Sequence, residues 1–389
     1  MRSCLLLLAV ILFAIQAHAQ WDIEESHTTA SLRGIHNVGG GVAWASGTDG
    51  TVLRTEDGGY LWQTCTIPPG AEKLDFRGIQ AFDENTAIVM SSGKGDLSRL
   101  YKTTDGCKTW KLVFTNPDKD GFWDALQISF KGHGYPPPIK GILIGDPVGG
   151  KFPIFVTSDS GNTWNRWGRS GSGWKGPCGE RDAHAQKEEA LFAASNESLL
   201  FGSGPTAFLF VTGGASGSRV FSSNYSEWDG PPCSTNFLTD RLEIRHTNSS
   251  SGSFAAAASG WDQWLPEKLM VVGGDYTRPN DPGFAFFLTQ KSASFHLPFT
   301  SYFASPQTAQ TPPHGYRSSV AYDPSTKTWI TVGPNGTDIS TDDGKNWRAL
   351  HPKPGQAADA DKNWNALSLP FVVGLKGRIG KLRDDALKP

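Results

Sequence analysis

The amino-acid sequence predicts an all-β protein built by repetition, and three observations carry that expectation. Its 389 residues include 45 Gly and 25 Pro, which punctuate helices rather than extend them. Apolar residues make up 38% and aromatics 11%, with 14 Trp and 22 Phe, while charged residues stop at 19%. That composition supplies a large core and excludes both bulk disorder and a coiled coil. Finally, one short motif closing on an aromatic residue returns along the whole chain, the signature of a repeat architecture.

The motif has the form Ser/Thr-x-Asp-x-Gly-x-x-Trp. It runs from Thr157 to Trp164, from Ser340 to Trp347, from Thr55 to Trp62 and, with Cys107 in the glycine position, from Thr103 to Trp110. Decayed copies run from Ser222 to Trp228 and from Leu288 to Phe295. The closing aromatics are 48 to 67 residues apart, which suits one four-stranded sheet per repeat. Within the motif the Asp can accept hydrogen bonds from its own tight turn, the Gly can take positive φ, and the Trp starts the next strand with its ring buried. Asp57, Asp105, Asp159 and Asp342 are therefore expected to be scaffold, not catalysts.

Other strands follow in register. Inner strands open at Arg33-Gly34-Ile35, Arg77-Gly78-Ile79, Asp124-Ala125-Leu126, Glu189-Ala190-Leu191, around Ser253-Phe254-Ala255, at Arg317-Ser318-Ser319 and at Asn365-Ala366-Leu367. After Trp347 the chain holds three further strands without an outer fourth. The Trp-led segment Trp21 to Glu25 matches the outer strand beginning at Trp62 and can supply it, which removes the exposed sheet edges. The count is a seven-bladed β-propeller closed by its N-terminal strand.

The repeated motif resembles the Asp-box, or BNR, repeat, which sits on blade hairpins away from active sites in families that carry it. Gly145-Asp146-Pro147, the stretch from Glu189 to Ser195, Gly273-Gly274-Asp275-Tyr276, the stretch from Tyr316 to Tyr322 and Val332-Gly333-Pro334 resemble a group of exported bacterial propellers. These are related to the photosystem II stability/assembly factor, and some are labelled oxidoreductase. The resemblance implies the fold and suggests a binding or assembly role.

Lys plus Arg number 36 against 38 Asp plus Glu, a formal charge of -2, and no basic tract exists for nucleic acid. Met1-Arg2-Ser3, the apolar run from Leu5 to Ile15 and Ala17-His18-Ala19 read as a signal peptide over residues 1–19. Residues 20–389 are then one exported, monomeric propeller domain, periplasmic or extracellular. The run is too short to span a bilayer. Four cysteines remain after cleavage, and neighbouring blades suggest pairing Cys65 with Cys107 and Cys178 with Cys233. Asn196, Asn224, Asn248 and Asn335 stand in Asn-x-Ser/Thr sequons.

Residues opening the inner strands converge on the mouth of the central channel, where propellers place concave sites. They are Arg33, Arg77, Asp124, Glu189, Arg317 and Asn365, joined from hairpin tips by Asp275 and Tyr276. Such a ring fits a protein partner or an anionic polar ligand. The leading expectation is a binding or assembly scaffold without catalysis, metal or cofactor. The alternative is a sialidase-like glycoside hydrolase, with Tyr276 or Tyr316 as nucleophile and Asp275 or Glu189 as carboxylate. No His-Glu-x-x-His pair exists, His184 and His314 stand alone in loops, and the Gly213 to Gly217 turn precedes no helix, so metal and dinucleotide chemistry lack their sequence context.

Overall fold

A computed structural model describes residues 20–129, 140–167, 183–202, 208–223, 237–244, 247–261, 266–291, 302–352 and 357–387. Seven antiparallel sheets form the blades of a β-propeller. The first blade shows the order: inner strand Leu32–Gly39, then Val42–Gly47, Val52–Thr55 and outer strand Gln63–Thr64. Inner strands of the others are Phe76–Ala81, Trp123–Ser129, Leu199–Phe201, Ser251–Trp261, Ser319–Asp323 and Trp364–Ser368. As the sequence predicts, Trp21–Glu24 completes the seventh blade by pairing with Ile379–Leu382, Trp21 lying opposite Leu382. The Trp21 ring is buried and its Nε1 donates to Thr337 Oγ1 at 3.2 Å, tying the closing strand to blade six.

The core is a ring of inter-blade seams. Seven apolar clusters each join two neighbouring blades, from Trp44, Phe76 and Tyr101 between blades one and two to Leu53, Trp62 and Phe371 between blades seven and one. No blade is stable on one face only, because each sheet buries both sides against neighbours.

The Asp turns have one geometry. In blade one Asp57 Oδ1 accepts from Thr55 Oγ1 at 2.8 Å and from the Leu61 amide at 3.0 Å, and Thr55 Oγ1 accepts from the Gly59 amide at 3.0 Å. Asp105, Asp159 and Asp342 repeat the pattern with Thr103, Thr157 and Ser340. The glycine position has φ of 97° at Gly59, 78° at Gly161 and 80° at Gly344, and Cys107 takes the same left-handed region at 61°. Cys107 departs from glycine because its sulfur is bonded to Cys65. Cys178 and Cys233, the other expected pair, lie outside the described residues.

The fourth blade departs from the regular pattern. Its inner strand opens where the repeat places it, with Glu189 opposite Gly214 and Ala190 opposite Gly213, but the ladder resumes only at Leu199, opposite Phe210. Residues 191–198 between them leave the sheet and enter the propeller axis. The Asn196 side chain donates through Nδ2 to Ile79 O of blade two and accepts at Oδ1 from the Leu126 amide of blade three. Ser195 Oγ donates to Ser318 O of blade six, 123 residues away. The channel is therefore plugged by the protein's own chain. Asn196, one of the sequon residues, is buried inside this plug and cannot present itself as a glycan acceptor.

Candidate functional site

Five inner strands carry a register shift at the residue that opens them. The bulged residues are Arg33, Arg77, Asp124, Phe254 and Asn365, each skipped by the partner strand. A bulge re-aims the side chain it frees, which is how equivalent repeat positions come to face the axis. Phe254 is the occupant of the fifth repeat that sequence spacing left undefined.

Arg33 and Arg77 meet over a single carboxylate. Arg77 Nε donates to Asp75 Oδ2 at 2.8 Å, and Arg33 Nε stands 3.2 Å from Asp75 Oδ1. The second contact is an ion pair without hydrogen-bond alignment, so Arg33 Nε and Asp75 Oδ1 keep unfilled bonding capacity. Both arginine side chains remain 29% exposed. Two cations sharing one anion leave this spot net positive.

An aromatic shelf adjoins them. Phe192 of the plug stacks on Phe254 with centroids 4.0 Å apart, Tyr276 packs edge-on against both, and Tyr316 meets Phe254 at 4.6 Å. Tyr316 feels the charges of Arg33 and Arg77, yet burial drives its hydroxyl far above the usual tyrosine range. Tyr276 is half exposed. The site thus joins blades one, two, five and six around the plug.

Carboxyl groups pack against and within the plug. Asp124 is buried, and desolvation with the nearby Asp146 carboxylate pushes its pKa well above the ordinary range. Burial raises Asp146 to about 6, against the hydrogen bond its Oδ1 accepts from the Leu191 amide. Glu197 of the plug is pushed up to about 7 by the same cause. Asp124 and Asp146 thus meet the plug at its Ala193 and Leu191 backbone, while Glu197 belongs to the plug itself.

The remaining expected mouth residues are spent on the fold. Arg317 is completely buried: its Nε donates to Asp338 Oδ2 at 2.8 Å, its Nη1 reaches Asn335 Oδ1 and the Tyr316 carbonyl, and its Nη2 reaches the same Asp338 oxygen and His314 Nδ1. Glu189 forms a buried ion pair with Arg219 and accepts from Thr212 Oγ1 at 2.6 Å. Asn365 donates to the Leu32 carbonyl at 2.7 Å and stitches blade seven to blade one. At Asp275 burial opposes ionisation, but donors from Thr277, Asn248 and Ser250 hold the carboxyl below its usual range. The trio of arginines is a pair, and Asp75, which the repeat register did not single out, is its anchor. Glu189 and Tyr316, named for glycoside hydrolysis, are separately buried, the one ion-paired and the other held protonated.

No protein-family model and no curated protein sequence matches the chain. Solved structures do. One described as YCF48 bound to D1 peptide has a TM-score of 0.57 at 16% identity, over 95% of this chain and 96% of that one. YCF48 from Cyanidioschyzon merolae has 0.56 at 17% identity, over 94% and 100%. Both likenesses span nearly the whole length and concern the fold.

Among the described residues no group of three His, Cys, Asp or Glu forms a ready metal cluster. No helix among them is long and apolar enough to cross a membrane.

Proposed function

We propose that the protein is a binding propeller of the photosystem II assembly-factor type, exported and without catalysis, that grips an anionic peptide segment of a partner protein at the channel mouth. The observation that carries this reading is the Arg33–Asp75–Arg77 cluster beside Tyr276. A carboxylate presented there can pair with the partly exposed side chains of Arg33 and Arg77 and gain charge-assisted hydrogen bonds, while the adjoining side chain covers the half-exposed ring. The plug gives the mouth a floor, so a ligand is held at the surface and does not thread the ring. The neighbour whose description names a bound D1 peptide supports a peptide ligand on this architecture. The Asp turns support an Asp-box repeat, and the disulfide supports an oxidising compartment.

The test is a set of synthetic peptides bearing a free C-terminal carboxylate, each matched by an amide-capped copy, measured by fluorescence anisotropy. Binding should require the carboxylate and fall at least about tenfold in the double variant Arg33→Ala/Arg77→Ala, as expected for loss of charge-assisted bonds. Equal binding of capped and uncapped peptides, or an unaffected double variant, overturns the reading.

A further inference from the structure

We propose that the segment 191–198, which plugs the bore, is held there by protons: it docks while Asp124, Asp146 and Glu197 carry them and swings out as they are lost. This concerns the plug itself and does not depend on the peptide reading.

The segment can come away without disturbing a blade. The ladder of blade four stops at Ala190 and resumes at Leu199, so residues 191–198 pair in no sheet. Separate side-chain bonds hold them instead. Asp146 Oδ1 accepts from the Leu191 amide at 3.0 Å, Arg77 donates to the Ala193 carbonyl at 3.2 Å, Ser195 Oγ donates to Ser318 O at 2.8 Å, and Asn196 bridges blades two and three. Phe192 adds its stack on Phe254. Release breaks these contacts and none of those between strands.

Two of the acids keep a buried oxygen that no donor fills. Asp124 is 2% exposed and its Oδ2 has no hydrogen-bond partner, and Glu197 Oε2 is equally without one. Left ionised, such an oxygen bears the full cost of desolvation, which a proton relieves. The third acid, Asp146, has its carboxyl beside Asp124, so ionising both sets like charges together. The surroundings supply little to balance them. Arg77 of blade two is the cation facing Asp124, and it is already shared with Asp75 and the Ala193 carbonyl. Glu197 meets only the hydroxyls of Ser195 and Ser319. The inner strand of blade five, Ser251–Trp261, carries no ionisable side chain, Arg317 of blade six is turned to Asp338, and Glu189 before the segment is neutralised by Arg219. With the three acids protonated, Arg33 and Arg77 over Asp75 leave one positive charge in excess; with all three ionised, two negative charges are in excess.

The sign of the coupling follows. Burial lifts all three acids above their ordinary values, so the docked segment holds protons that the open one releases, and opening is favoured as pH rises. The effect builds from about 4.5 and flattens above about 7. Opening takes Phe192 off Phe254 and the Ala193 carbonyl off Arg77, so the mouth loses its floor in the same step.

The test is amide hydrogen exchange of the purified full chain, read by mass spectrometry and corrected for the intrinsic effect of pH on exchange. Residues 191–198 should exchange faster than the blade-five strand Pro266–Asp275, showing that they open with the blades intact. Their opening constant should rise at least about tenfold between about pH 5 and about pH 7. Glu197→Gln and Asp124→Asn should each remove part of that rise. Glu197→Gln is nearly isosteric and decides the matter if Asp124→Asn does not fold. A segment that exchanges no faster than that strand, an opening constant indifferent to pH, or a full rise retained in Glu197→Gln overturns the proposal.

Discussion

Arg77 and Ala193 join the mouth to the plug: the guanidinium NH1 of blade two donates to the Ala193 carbonyl at 3.2 Å, 116 residues along the chain. Arg33, its neighbour over Asp75, makes no such bond. The two arginines therefore have separable roles. Arg77→Ala should lower the melting temperature, because a carbonyl and a carboxylate lose a donor, a cost of about 1 to 3 kcal/mol. Arg33→Ala should change stability by under about 1 kcal/mol and still reduce peptide binding. Thermal melts of both variants beside anisotropy titrations check this. Equal destabilisation by the two would disprove the division.

Arg317→Ala should be far more damaging than either. It strands Asp338 in the interior, and breaking a buried ion pair from one side costs about 3 to 5 kcal/mol. Arg317→Lys should recover only part, since one ammonium cannot reproduce the contacts to Asp338, Asn335 and Tyr316. Urea unfolding gives the ranking native, Lys, Ala.

Glu197 sets a pH dependence. Its folded pKa of about 7 lies above the ordinary 4.5, so the folded chain holds a proton that the unfolded chain releases. Its contribution is intact below about 4.5 and erodes as pH rises toward 7. Burial depresses His36 to about 4, and this works in the opposite sense: stability is present above 6.5 and falls as pH drops through 4. Glu197→Gln leaves the His36 contribution in place and isolates the first effect. The variant should match the native protein near pH 4.5 and melt higher at pH 8. A constant difference across that range would count against a buried titrating carboxyl.

Removing residues 20–25 should open the ring. The deletion exposes the edge of Ile379–Leu382 and empties the Trp21 position between blades six and seven. Loss of a buried Trp alone costs about 3 to 5 kcal/mol. Adding the missing segment back as a peptide should restore part of the melting temperature. An unaltered melt would show that blade seven closes without it.

Much of the fold was legible because the repeat is written in residues whose chemistry is local. An Asp that caps its own turn, a position needing positive φ and a Trp opening a strand are readable without knowing what lies across the ring. Trp21 betrayed the closing strand for the same reason. The site was less legible. Arg33, Arg77 and Asp124 were found because the bulge recurs at a fixed repeat position, but Arg317 holds that position and turns inward to Asp338, a partner two strands away in its own blade. Glu189 was placed correctly in the chain, yet its side chain goes to Arg219. The plug gave one faint signal: the distance from Glu189 to the next strand exceeds what a continuous inner strand needs. Asp75 gave none, since it precedes the repeat register and matters only once two blades are assembled.

The plug also gauges the ring. Asn196 spans adjacent blades while Ser195 reaches one on another side, so the segment between Leu191 and Ser198 touches the bore at several bearings at once. Nothing in the seams themselves dictates the number of blades, because each sheet needs only its two neighbours. Here an eighth blade would widen the bore, and the plug could not keep Asn196 on blades two and three while Ser195 still reached Ser318 O of blade six. The number seven is thereby fixed from the inside.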